Sequence, residues 1–146
     1  MNKIAVVIPT YNRADNLDCI LKALEIQTSK PDEVIIVDDG STDNTHAVAM
    51  KYQDVFETFK YYYHPNRGYR LSLNRNQGTR LVAQDTTHVL YLDGDVMLNK
   101  KAIEAYRQII AKEPEAVICG RYDWLDPKPI TPDDVVNNWE GIINGS

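Results

Sequence analysis

The chain has 146 residues, 43% apolar and 25% charged, with a net charge of −5. That size and balance suit one domain, residues 1–146, with a buried core, and exclude an intrinsically disordered chain. The acidic balance, with no long basic run, argues against nucleic-acid binding through phosphate contacts, but not against a phosphorylated small ligand held through a metal.

Ile4-Ala-Val-Val-Ile8 is a continuous apolar run, the pattern of a strand covered on both faces. Pro9 to Arg13 breaks it, and Asp15 or Asn16 is placed to cap a helix. In that helix Leu17, Ile20, Leu21 and Leu24 form one apolar stripe. Pro31 closes the connection to a second buried strand, Glu33 to Val37, which ends in Asp38-Asp39-Gly40-Ser41-Thr42-Asp43. A shorter helix is expected from about Asn44 to Gln53, then a strand from Phe59 to Tyr63 ending at His64-Pro65-Asn66-Arg67-Gly68. A helix around Leu71 to Ala83 precedes a buried strand, His88 to Leu92. Asn99 is placed to cap a further helix to about Lys112, with Ile103, Tyr106, Ile109 and Ile110 inward, and Ala116 to Gly120 reads as a fifth strand. Beyond Arg121 the chain is rich in Pro, Asp and Asn, with Trp124 and Trp139 as its large anchors.

Cys19 and Cys119 lie far apart in apolar stretches and read as small buried hydrophobes. No apolar run approaches the ~18 residues of a membrane span, and the N-terminus enters a strand without a leader pattern. A cytoplasmic protein, with peripheral membrane contact left open, is the expectation.

Strands alternating with helices imply right-handed β-α-β units: an α/β, Rossmann-like, mostly parallel sheet with flanking helices. Such sheets bind ligands at the carboxyl ends of their strands. Pro9-Thr10-Tyr11, Asp38-Asp39-Gly40-Ser41 and Asp93-Gly94-Asp95 all fall there. In an extended chain residues i and i+2 point to the same side, so Asp93 and Asp95 project together from the strand end, and Gly94 between them admits a close approach. Two neighbouring carboxylates repel unless a proton or cation separates them. A hard divalent ion bridging to phosphate oxygens meets that need.

The first strand is not followed by G-x-G-x-x-G, and no G-x-x-x-x-G-K-[ST] occurs, which argues against dinucleotide and P-loop sites. The segments Val6-Val-Ile-Pro-Thr-Tyr-Asn-Arg13, Val34-Ile-Ile-Val-Asp-Asp-Gly-Ser-Thr-Asp43, Arg75-Asn76-Gln77-Gly78 and Tyr91-Leu-Asp-Gly-Asp-Val96 closely resemble, in order and spacing, a family 2 glycosyltransferase of GT-A fold. The resemblance covers most of the first hundred or so positions. It implies a UDP-sugar donor, a Mn²⁺ or Mg²⁺ ion, and inverting transfer to a hydroxyl acceptor: a glycan, a lipid-linked sugar or another alcohol.

By that resemblance Pro9, Thr10 and Tyr11 pack on uracil and ribose, and Asp39 accepts from uracil N3–H. Asp38 supports the loop. Arg75 and Asn76 face the diphosphate, and Arg13 and Gly94 belong to the same donor-binding motifs. Asp93 contacts the ribose or the metal, and Asp95 ligates the metal. The match also departs from the family. Members continue beyond the metal motif into a part that supplies an E-D pair and the acceptor wall, so a GT-A fold shortened at its C-terminus is expected. Asp123, Asp126, Asp133 and Asp134 lie in that general region, but no motif singles one out as the base. A partial fold would expose an apolar edge, which makes a homo-oligomer plausible. The alternative reading is a nucleotide-sugar-binding module without catalysis of its own.

Overall fold

The computed structural model describes residues 2–125 and 128–144; Asp126 lies outside them. β1 (Ile4–Thr10) and β2 (Glu33–Asp38) are buried along their whole length. β3 (Thr58–Tyr63) pairs with the outer edge of β2, and β4 (His88–Tyr91) with the free edge of β1. All pairings are parallel and the order is β3-β2-β1-β4. The chain therefore steps outward from β1 and returns to its other side. This puts the switch in strand order between β1 and β4, the position at whose carboxyl strand ends such sheets generally bind ligands.

Alternate side chains of the central strands enter different layers, as the two-residue strand period requires. Ile4, Val6, Ile8, Val34 and Ile36 pack with Leu17, Ile20, Leu21 and Leu24 of α1 (Ala14–Glu25), Ala49 of α2 (Thr45–Met50), and Ile103 and Ile110 of α4 (Ala102–Lys112). Val7, Ile35 and Val37 face the other way, toward Leu81 of α3 (Leu71–Leu81). On the outer side of α1, Cys19 and Ala23 meet Val135 of α5 (Pro132–Asn137) and Trp139 at the start of α6 (Trp139–Asn144). The Cys19 thiol donates to the Ile130 carbonyl at 3.2 Å, and burial pushes it up to about 11. Thr131 and Asp134 close a capping box on α5, which fixes the approach of this segment.

Several sequence expectations are corrected. The strand expected at Ala116 to Gly120 does not form: Val117 is 93% exposed and Cys119 is exposed. An apolar run becomes a strand only when a sheet edge accepts its backbone hydrogen bonds. Here the run follows a turn closed by Ala116 N–H on the Glu113 carbonyl, and only Ile118 packs against the core. The strand expected at His88 to Leu92 stops at Tyr91 and is half-buried, because it lies at the sheet edge. Trp124 is exposed, and the anchoring falls to Trp139. Ile109 points outward from α4. Neither Asp15 nor Asn16 caps α1; the carboxylate that reaches its first turn is Asp43, from the loop after β2, whose Oδ2 accepts from Ala14 N–H at 3.2 Å. Asn99 does not cap α4, whose N-cap position is Lys101; its side chain accepts from the Lys101 N–H at 3.0 Å, two positions ahead.

Candidate functional site

The rim at the strand ends is built by loops that brace one another. Asn12, in the left-handed region at φ 47°, donates its N–H to Ser41 Oγ at 2.8 Å and accepts from Thr42 N–H at 2.7 Å through its side chain. Asparagine tolerates this conformation because its side chain bonds locally. Asp38 is 1% exposed. One of its oxygens accepts from Ser41 N–H at 2.8 Å and the other from the Tyr61 hydroxyl. Burial, then the Asp38 carboxylate, raises the Tyr61 phenol far above its ordinary range. Gly40 has φ +85°, and a Cβ there would stand 2.3 Å from the Asn66 backbone nitrogen. The loop after β2 is thereby pressed onto the loop after β3, with Asp39 between them.

Asp39 is 6% exposed, and its N–H donates to the Thr10 carbonyl at 2.9 Å. Its Oδ1 lies 3.4 Å from His64 Nδ1 and 3.8 Å from Arg70 Nη2, yet it accepts no hydrogen bond. The Arg70 guanidinium offsets the carboxylate charge at a separation beyond bond geometry. Six buried side-chain polar atoms have no hydrogen-bond partner among the described residues, and four of them belong to this rim: Thr10 Oγ1, Asp39 Oδ1, Arg70 Nε and Arg75 Nε. Buried polar groups are rarely left so. Their concentration here marks a place where a ligand would supply the missing partners.

Asp93-Gly94-Asp95 departs from the expected geometry. The chain turns after Leu92, with Val96 N–H on the Asp93 carbonyl, so the two carboxylates do not project together from an extended strand. Asp93 pairs with Arg75 of α3. Asp95, the more exposed of the two, pairs with Arg13 at 3.3 Å. Gly94 backs onto β1, where a Cβ would stand 3.0 Å from the Pro9 carbonyl oxygen. Each arginine thus bridges this turn to another part of the rim. Among the described residues no group of three or more His, Cys, Asp or Glu side chains could hold a metal. The two carboxylates are hard oxygen donors on one accessible turn. This set fits Mg²⁺ or Mn²⁺ where phosphate oxygens complete the shell, the arrangement such ions commonly use.

The structure thus gathers Pro9, Thr10, Arg13, Asp39, Arg75, Asp93, Gly94 and Asp95 around the strand ends. Tyr11 stands beside them, 46% exposed. Asn76 is exposed on α3, whereas Asn74, two positions earlier, is buried against His64. Arg70 and Asn74 belong to no motif of the sequence; their only signal is position, at the start of the helix that carries Arg75. Asp133 and Asp134 are held in local bonds at α5, and Asp123 pairs with Arg121 at 3.3 Å. No helix of the described residues is long and apolar enough to cross a membrane.

A family model described as Glycosyl transferase family 2 matches residues 5–131. Validoxylamine A glucosyltransferase of Streptomyces hygroscopicus subsp. limoneus is 36% identical over 132 residues, covering 86% of this chain and 28% of that protein. Chondroitin synthase of Pasteurella multocida (strain Pm70) is 30% identical over 136 residues, 92% of this chain and 14% of that one. Among solved structures, S. aureus TarS 1–349 in complex with UDP-GlcNAc superposes with a TM-score of 0.68 at 29% identity, covering 75% of this chain and 31% of that chain. The chain spans less than a third of the length of each of these relatives.

Proposed function

The chain belongs to glycosyl transferase family 2, and from that membership we propose that it binds a UDP-sugar across the rim and that the sugar passes to a hydroxyl acceptor with inversion. The observation that carries this reading is the buried Asp39 Oδ1 with no donor of its own. Uracil N3–H is a donor, and a carboxylate accepts only. Thr10 Oγ1 adds a second unsatisfied group beside it, and the exposed Tyr11 ring is free to lie on the base or ribose. Arg13 and Arg75 bring two guanidinium groups to the Asp93–Asp95 turn, where they suit diphosphate oxygens. The bound UDP-GlcNAc of the TarS structure supports this donor class.

Asp95 and Asp93 would hold Mn²⁺ or Mg²⁺, which supplies Lewis-acid neutralisation of the departing diphosphate. Arg75 and Arg13, released from their carboxylates, would orient that diphosphate. The acceptor is a glycan or another alcohol, and its proton requires a general base. Asp123, Asp133 and Asp134 are engaged in local bonds, which favours a second reading: a donor-binding unit that does not itself complete transfer.

Calorimetry of UDP with and without Mn²⁺, on the native chain and Asp95→Ala, tests the donor site. Metal-enhanced binding that the variant loses is the expected result. Equal binding by both proteins would overturn the metal assignment, and no binding by either would remove the donor reading from this chain. Slow metal-dependent release of UDP from a UDP-sugar to water separates a competent transferase from a binding unit.

A further inference from the structure

The Asp39 carboxylate is backed by side chains that no motif of the sequence singles out. Arg70, immediately before α3, donates from Nη2 to His64 Nδ1 at 2.9 Å and to the Pro65 carbonyl at 3.2 Å. His64 Nδ1 also lies 3.3 Å from the Pro65 carbonyl, which can only accept, but the shorter contact is with a guanidinium, which only donates, and this makes Nδ1 the accepting nitrogen of the ring. The ring proton is then on Nε2, which donates to Asn74 Oδ1 at 2.7 Å. Asn74 is 3% exposed, which seals that bond from solvent. His64 Nδ1 also lies 3.4 Å from Asp39 Oδ1. With its lone pair turned to Arg70, however, the imidazole has no proton to give Asp39. The carboxylate oxygen keeps a cation 3.8 Å away and gains no donor.

We propose that Arg70, His64 and Asn74 are positioning residues that hold Asp39 Oδ1 as a lone acceptor and thereby set which pyrimidine base the rim accepts. This rests on the UDP-sugar reading above. Leaving a buried acceptor unfilled is unfavourable until a ligand donor arrives. Uracil, with N3–H, supplies that donor. Cytosine presents a lone pair at N3, which meets the carboxylate with repulsion. Were His64 to carry its proton on Nδ1, it would fill the Asp39 oxygen itself and the distinction between the bases would fade. Arg70 blocks that tautomer by donating to Nδ1, and Asn74 stabilises the other by accepting from Nε2–H. All three therefore act through Asp39 rather than on the reacting atoms.

The test pairs a spectroscopic readout with a binding ratio. Imidazole ¹⁵N chemical shifts give the tautomer of His64, one of three histidines, and calorimetry gives the affinities for UDP and CDP. The native chain is expected to show the Nε2–H tautomer and to prefer UDP. In Arg70→Leu the ring is expected to move toward Nδ1–H and the UDP-to-CDP ratio to fall about tenfold. Arg70→Lys, which keeps a cationic donor, is expected to recover most of the ratio. An Nδ1–H tautomer in the native chain overturns the proposal, and this measurement decides even where Arg70→Leu fails to fold. An unchanged ratio in Arg70→Leu, alongside its loss in Asp39→Asn, also overturns it and leaves the donor reading standing. Equal affinity for UDP and CDP in both the native chain and Asp39→Asn removes the donor reading itself, and the inference with it.

Discussion

Gly78 of α3 lies so close to Val7 of β1 that a Cβ on the glycine would stand 2.3 Å from the valine Cγ1. Val7 is fully buried, and Val37 crowds the same spot at 3.3 Å. Gly78→Ala sets two effects against each other. Alanine favours the helix by about 1 kcal/mol, but overpacking a filled core costs about 1–3 kcal/mol. Because two β-branched neighbours leave no room to relax, the steric term is expected to win, with a net loss on the order of 1 kcal/mol. A urea midpoint equal to or above that of the native chain would contradict this packing. The contact also seats the helix that carries Arg75, so weaker UDP binding is expected to accompany the lower midpoint.

Gln27 joins two helices from a position that is 5% exposed. Its amide nitrogen donates to the Ala23 carbonyl at 3.0 Å and the Asn99 carbonyl at 2.8 Å, and its oxygen accepts from Ile103 N–H at 3.1 Å. Gln27→Leu leaves the Ile103 N–H buried without a partner, a loss of about 1–3 kcal/mol. Gln27→Glu keeps the acceptor but turns a carboxylate toward two carbonyl oxygens. The glutamate variant is therefore expected to be the less stable of the two at neutral pH, as read by chemical denaturation. The reverse order would show that the bond accepted from Ile103 N–H outweighs the repulsion between a carboxylate and the two carbonyls.

What could be read from the sequence was what depends on neighbours along the chain. β1 and β2 are continuous apolar runs because both their faces are covered, and α1 shows its buried stripe directly. β4 and the Ala116 to Gly120 segment carry similar apolar patterns, yet one is a half-buried edge strand and the other joins no strand among the described residues. Whether a sheet edge is present to receive a segment is a property of the assembled fold. The carboxylates of Asp93 and Asp95 were visible as a motif, but their separation onto different arginines depends on a turn and on side chains from distant positions. Gln27 left no local trace, since two of its three partners are 72 and 76 positions away, and Arg70 left none because its nearby bonds to His64 and Pro65 gain meaning only beside Asp39, 31 positions away.

Asp43 takes over the cap of α1 that local sequence assigned to Asp15 or Asn16. Burial raises its carboxyl, but hydrogen bonds from the Thr45 hydroxyl and from the Ala14 and Thr45 backbone outweigh this and hold it below 3.8. A carboxylate depressed in the folded state stabilises the fold above its unfolded value and loses that contribution as pH falls through its lower folded value. Asp43→Ala is thus expected to cost about 1 kcal/mol at pH 7, a usual figure for losing a cap. The difference from the native chain should narrow as pH drops below 3.8. Parallel stability curves down to the acid transition would show that the carboxylate charge plays no part.

Tyr61 supplies the only hydroxyl donor to the buried Asp38 among the described residues, and Asp38 in turn holds the loop that presents Asp39. Tyr61→Phe leaves a buried carboxylate oxygen without a partner, with an expected loss of about 1–3 kcal/mol at neutral pH. The same bond fixes the behaviour in alkali. Burial first, and the Asp38 carboxylate second, raise the phenol above its reference value of 10.0. A group raised on folding contributes stability below its unfolded value and loses it as pH climbs past that point, because the unfolded chain gives up its proton first. The native chain should therefore lose stability above pH 10 more steeply than Tyr61→Phe, while Tyr52, also raised, acts equally in both proteins. Denaturation midpoints followed from neutral pH into that range distinguish the two slopes. Coincident slopes would mean that Tyr61 reaches water in the folded chain, and that Asp38 is held by Ser41 alone.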